Sequence, residues 1–186
     1  YGREEIMKLY DIISNLKFVG IKNYQELDID ALTCDSKEKT HNSIYFCIKG
    51  LNNDGHEYAA DAIKNGAVCL VVERFLELPI CQILVENSRA TMSYISSIFY
   101  ETYKSKMRFI GITGTNGKTT TTFLIREILT KLNRKVGMIG TEGIYIKNLL
   151  LPPTLTTPDP IVLHKVLRDM ENNGCEYCVM EVSAHA

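Results

Sequence analysis

The sequence predicts an α/β protein in two parts, a small α/β module over 1–105 and the start of a parallel-sheet unit over 106–186. Three observations carry this. Between residues 4 and 100, apolar runs of strand length are interspersed with stretches of helical periodicity. From 108 onward, strand-like and helix-like segments alternate, the pattern of parallel strands joined by right-handed crossovers. At 109–125 the order is strand, glycine-rich loop, helix.

Ile6, Leu9, Ile12, Ile13 and Leu16 have helical spacing and predict a helix over 4–18. Strands are expected at 31–35, 44–49, 68–73 and 82–86. A helix fits 57–64, ended by Asn65-Gly66, a good C-terminal stop. Ser88 is a suitable N-cap for a second helix running to 100. The polar stretch 101–108 reads as a linker. Beyond it come a strand at 108–113, a helix at 118–132 and a strand at 135–140. A hairpin or loop at 141–153, a helix at about 159–172 and a strand at 176–182 follow. Three strands make a thin sheet, so the second unit is expected to be truncated and to continue past Ala186.

With 45% hydrophobic and 23% charged residues, the chain has the balance of a soluble globular protein. Its net charge of −1 gives no reason to expect nucleic acid or an anionic membrane as partner. No apolar run reaches membrane-spanning length, and the charged start does not read as a signal peptide. A cytoplasmic monomer is expected. Most of the cysteines (Cys34, Cys47, Cys69, Cys81, Cys175, Cys178) lie in strand-like runs, where a free thiol is a small apolar group. Cys175-Glu176-Tyr177-Cys178 spells CxxC but leads into a strand, whose residues three apart point to opposite faces. That disfavours a redox or zinc role.

The chemistry concentrates in Thr113-Gly114-Thr115-Asn116-Gly117-Lys118-Thr119-Thr120. A glycine-rich loop between a strand and a helix offers backbone N–H groups to phosphate oxygens, and the helix N-terminus adds positive potential. Lys118 supplies a point charge and Thr119 a hydroxyl for Mg2+. ATP or GTP is the implied ligand. The strict phosphate-loop pattern needs a glycine where Ile112 stands; the glycines here are Gly111 and Gly114.

This variant resembles the loop of the Mur ligases and their folylpolyglutamate synthetase relatives, ATP-dependent enzymes that form amide bonds. The resemblance extends to Cys34-Asp35-Ser36-Lys37, to 44–50 and to Asn53-Asp54-Gly55-His56, which look like the N-terminal domain shared by MurE and MurF. By resemblance that domain holds the UDP end of a UDP-N-acetylmuramoyl-peptide, with Cys34, Ser36, Leu51, Asn52 and Asn53 as substrate contacts. By spacing alone these residues read more readily as a surface turn. Lys37 stands where the family usually has Arg, a weaker bidentate partner for phosphate. Asn42-Ser43 replaces a Gly-Asp turn, which Asn can sustain because it tolerates the left-handed conformation.

Two later segments resemble the MurE type in particular. Leu155-Thr156-Thr157-Pro158 implies substrate contacts from Thr156 and Thr157, although Thr157 as N-cap with Pro158 at N1 is also a plain helix start. Met180-Glu181-Val182-Ser183 implies Glu181 as a Mg2+ ligand and Ser183 as a substrate contact. Glu181 also reads as an ordinary strand-end carboxylate, and Ala184 replaces a family serine. His185 is not assigned to metal. His56 lies in a turn that helps shape the UDP pocket, and His164 is expected at a helix surface.

The resemblance implies that ATP phosphorylates the D-glutamate carboxylate of UDP-MurNAc-L-Ala-D-Glu. A diamino acid, meso-diaminopimelate or L-lysine, then attacks the acyl phosphate. Gly114–Thr120 would hold ATP and Lys118 would act catalytically. Alternatives are a MurF-type ligase, a folylpolyglutamate synthetase-like enzyme, or a module that binds nucleotide or UDP-sugar without catalysis. The 186 residues lack the family's later motifs, so turnover by this stretch alone is not expected.

Overall fold

The computed structural model describes residues 6–50, 53–147, 149–151 and 158–183. The chain divides into two units, Tyr1–Phe99 and Tyr100–Ala186, each with its own five-stranded sheet.

The first unit runs β1 (Met7–Lys8), α1 (Leu9–Ile13), β2 (Gly20–Lys22), β3 (Asp28–Ile29), β4 (Ala31–Thr33) and β5 (Ser43–Phe46). It continues with α2 (Ala59–Lys64), β6 (Ala67–Val72), β7 (Cys81–Leu84) and α3 (Ser88–Phe99). Its sheet has the order β2-β7-β6-β5-β4, with β4 to β7 mutually parallel and β2 antiparallel at one edge. Side chains alternate across the strands. Tyr45, Leu70 and Val72 pack with Ala59 and Ala62 of α2. Alternation puts the fully buried Ile44, Phe46 and Val71 on the opposite face.

Three details differ from expectation here. The helix predicted over 4–18 is only α1, because Met7 and Lys8 pair antiparallel with Ile29 and Asp28 instead. Lys8 Nζ sits 2.6 Å from Asp28, and the Leu9 N–H donates to Leu27 O at 2.8 Å. The cap of α3 is Asn87, whose Oδ1 accepts from the Ala90 N–H at 2.8 Å, while Ser88 is already helical and buried. β2, three residues long, had no periodicity long enough to reveal it. Asn42 does take a left-handed conformation, with φ 43°.

The second unit comprises β8 (Arg108–Ile112), α4 (Lys118–Lys131), β9 (Val136–Gly140), β10 (Gly143–Ile146), β11 (Leu149–Leu151), α5 (Pro160–Asn172) and β12 (Tyr177–Glu181). The sheet order is β11-β10-β9-β12-β8. β12 lies between β9 and β8 and is parallel to both, while β10 and β11 extend the sheet as an antiparallel hairpin. α5 packs Val166, Leu167 and Met170 against Ile139 and Cys178. α4 packs on β8, β9 and β12.

The stretch 101–108, expected as a linker, contains a 3-10 turn at Thr102–Lys104 tied to α5. Glu101 pairs with Arg168 at 3.0 Å, and Thr102 Oγ1 meets His164 Nδ1 at 2.6 Å. His164 is therefore half-buried rather than at the surface, and burial holds its pKa below the usual histidine value. The cap of α5 is Asp159, with Pro160 first in the helix, rather than the Thr157-Pro158 pair. Asp159 Oδ1 accepts from the Ile161 and Val162 N–H groups at 2.9 and 3.1 Å. A carboxylate serves two orphan amides and complements the helix dipole better than a hydroxyl. Cys175 lies just before β12, as the expected strand at 176–182 places it, and it shares one core cluster with Cys178. Burial pushes the Cys178 thiol up to about 12.

Candidate functional site

The three parallel strands of the second unit end side by side at Ile112, Gly140 and Glu181. Ligands of parallel α/β sheets gather at such carboxyl ends. Here the loop 113–117, Thr141 and Ser183 follow the three strands, and Thr115, Asn116 and Gly117 of the loop line one cavity of about 410 Å3 with Thr141 and Ser183. That volume lies within the range of small-ligand pockets.

The loop has the shape its glycines allow. Gly117 caps α4 with φ 77°, a left-handed conformation costly for any residue with a Cβ. A Cβ there would meet nothing within 4 Å, so the glycine serves the backbone turn and not close packing. Among the described residues, no side chain caps α4. A helix N-terminus without a side-chain cap presents amides and positive potential to an anion. Lys118 Nζ donates to Gly114 O at 2.8 Å, which lays its charge along the mouth of the loop. Thr115, Asn116, Thr119 and Thr120 line the cavity with it.

Glu181 is 1% exposed, an unusual burial for a carboxylate. Its Oε2 accepts from the hydroxyls of Thr119 and Thr141, each at 3.1 Å. Its Oε1 accepts from the Thr141 N–H at 3.1 Å. Residues 62 apart in sequence, Thr119 and Glu181, are thus brought together as the metal reading of the sequence requires. A carboxylate and a hydroxyl are hard oxygen donors, the set suited to Mg2+ when phosphate oxygens and water complete the shell.

In the first unit, the turn at 34–38 follows β4 and residues 47–50 follow β5, so both stand at the carboxyl edge of neighbouring parallel strands. The Asp35 N–H donates to Thr33 Oγ1 at 3.0 Å, and Asp35 Oδ1 accepts from the Lys37 N–H at 2.9 Å. Asn65 Nδ2 holds Ser36 O at 2.8 Å. These bonds leave Cys34 exposed and Ser36 half-buried on a shaped turn. Gly50 N–H donates to Asn53 O at 2.8 Å. Leu51, Asn52, Thr156, Thr157, Ala184 and His185 lie outside the described residues.

Sequence reading did not identify the network beneath that edge. Asp54 Oδ1 is 2.5 Å from His56 Nδ1, and Asp54 Oδ2 accepts from Arg74 at 2.8 Å. His56 Nε2 accepts from the Glu73 N–H at 2.9 Å, which fixes the proton on Nδ1. Glu73 Oε1 in turn accepts from the Ser88 N–H at 2.8 Å. Burial alone would raise the Asp54 pKa, but the bonds from the His56 N–H, Arg74 and the His56 ring hold it well below the carboxylate range. Thr141 was missed too, although a Gly-Thr at the end of the strand 135–140 sits where α/β sheets place ligand contacts.

Comparison with known proteins bears on both units. Residues 28–100 match the catalytic domain of the Mur ligase family, and residues 112–186 match the Mur ligase middle domain. A UDP-N-acetylmuramoyl-L-alanyl-D-glutamate–2,6-diaminopimelate ligase of Geobacillus thermodenitrificans (strain NG80-2) is 39% identical over 97% of this chain. The chain spans 37% of that relative's length. A solved structure of a ligase of the same name superposes with a TM-score of 0.72 at 25% identity, over 85% of this chain and 32% of the other. MurF ligase from Thermotoga maritima, solved in complex with ADP, gives 0.58 at 25% identity over 83% and 32%. With two matched domains and a shared fold, the chain belongs to the Mur ligase family.

Proposed function

We propose that this chain forms the substrate- and ATP-binding part of a MurE-type ligase of peptidoglycan precursor synthesis. The reaction joins a diamino acid to UDP-MurNAc-L-Ala-D-Glu at the expense of ATP. The observation that carries the reading is the cavity where Lys118, Thr119 and the buried Glu181 converge. The Geobacillus thermodenitrificans relative at 39% identity supports the MurE type over MurF, and its name favours 2,6-diaminopimelate over lysine. Residues 1–105 form the UDP-sugar domain and 106–186 the beginning of the ATP domain. Among the described residues, Cys47, Cys69, Cys81, Cys175 and Cys178 form no disulfide, which suits a reducing cytoplasm. Among the described residues, no helix is long and apolar enough to cross a membrane.

In this mechanism the amides of 114–120 and the α4 N-terminus bind the phosphates of ATP. A D-glutamate carboxylate oxygen attacks the γ-phosphorus, and ADP departs. The diamino acid nitrogen then attacks the acyl carbon, expels phosphate and loses a proton, leaving an amide. Lys118 offsets charge on the transferring phosphoryl group, which is the main catalytic demand in phosphoryl transfer. Thr119 and Glu181 would hold Mg2+, which when bound neutralises phosphate charge. Ser36 and Cys34, with Asn53, Leu51 and Asn52, contact the UDP-sugar; Thr156, Thr157 and Ser183 contact the muramoyl-peptide.

Calorimetry tests the reading. The chain should bind a non-hydrolysable ATP analogue in the presence of Mg2+, and separately UDP-MurNAc-L-Ala-D-Glu. Binding of a folate polyglutamate without any UDP compound would overturn it in favour of the folate branch. Preference for UDP-MurNAc-tripeptide over the dipeptide would favour MurF.

A further inference from the structure

Thr141 touches both oxygens of Glu181, its hydroxyl on Oε2 and its N–H on Oε1, each at 3.1 Å. A carboxylate held at both oxygens by one residue cannot rotate about its last bond without breaking a hydrogen bond. Thr119 shares Oε2 at 3.1 Å, so the Thr141 contacts define which oxygen faces the α4 N-terminus. The preceding residue makes room for this arrangement. Gly140 is not in the left-handed region, so its backbone does not require glycine. A Cβ at Gly140 would collide with Glu181 Oε1. The end of β9 thus combines an absent side chain, which admits the carboxylate, with a residue that clamps it.

We propose that Thr141 is a positioning residue for the metal site, orienting Glu181 toward the ion held with Thr119, and that Gly140 is its steric complement. This rests on the reading of Glu181 as a Mg2+ ligand. Loss of a group that orients a metal ligand by hydrogen bonding typically lowers metal affinity about ten- to a hundredfold. The hydroxyl of Thr141 is the part that matters, since its N–H is supplied by any residue except proline.

The test is the ratio of affinities for a non-hydrolysable ATP analogue with and without Mg2+, measured by calorimetry on the chain and its variants. Taking a ratio cancels any direct contact between Thr141 and the nucleotide. Thr141→Val keeps the shape and removes the hydroxyl; the Mg2+ enhancement should fall about ten- to a hundredfold. Thr141→Ser should restore it. If Thr141→Val does not fold, Gly140→Ala, which displaces the same carboxylate at its other oxygen, Oε1, is judged by the same criterion. Wild-type enhancement in Thr141→Val, beside a loss in Glu181→Gln, overturns the positioning role alone. Wild-type enhancement in Glu181→Gln removes the metal reading, and the positioning role with it.

Discussion

Lys118 shows how much one position can carry. Its identity and its place after Gly117 are local facts, and they already imply a phosphate partner. The structure adds that its ammonium lies 2.8 Å from Gly114 O, inside the loop it serves. A hydrogen bond to a charged partner is worth about 1.5–3 kcal/mol, so Lys118→Ala should weaken ATP-analogue binding roughly ten- to a hundredfold. Calorimetry checks this; unchanged affinity would place the phosphates elsewhere. Glu181 is the opposite case. As a residue of the sequence it is one strand-end carboxylate among several. Its 1% exposure and its two threonine partners give it a distinct chemistry, and they depend on three separate segments meeting.

At the scale of elements, long periodic segments were legible and short or capped ends were not. The helices at 118–132 and 159–172 and the strands at 108–113, 135–140 and 176–182 correspond closely to α4, α5, β8, β9 and β12. The failures cluster where several residues compete to cap a helix or where pairing is too brief to leave a pattern. Asn87 and Asp159 cap α3 and α5 in place of Ser88 and Thr157, because side-chain carbonyl and carboxylate oxygens reach the first-turn amides in both cases. Asp159 accepts two N–H groups at once, so Asp159→Ala should lower unfolding free energy by about 1 kcal/mol. Urea denaturation of the two proteins would reveal it; an unchanged midpoint would mean the amides find another acceptor.

At the scale of the whole molecule, two units carry two proposed ligand edges, each at the carboxyl ends of its own parallel strands. Ligands that bind the folded state protect the region they contact. Hydrogen exchange with Mg2+ and an ATP analogue should therefore slow amides at 113–121, 141 and 181. Exchange with UDP-MurNAc-L-Ala-D-Glu should slow those at 34–38 and 53–58. Protection of 34–58 by the ATP analogue alone would refute this division of roles.

The sequence by itself determined the α/β class, most of the strands and helices, and the phosphate loop, because periodicity, glycine turns and a contiguous motif are local properties. The family resemblance rested on equally contiguous stretches. Only the tertiary structure decided that Thr119, Thr141 and Glu181 share hydrogen bonds and that Gly140 admits the carboxylate. The same holds for the bonds joining Asp54, His56, Glu73 and Arg74 beneath the other edge. The physical reason is common to both networks. Their hydrogen bonds join residues up to 62 positions apart, and such pairs acquire a partner only when parallel strands bring their ends together.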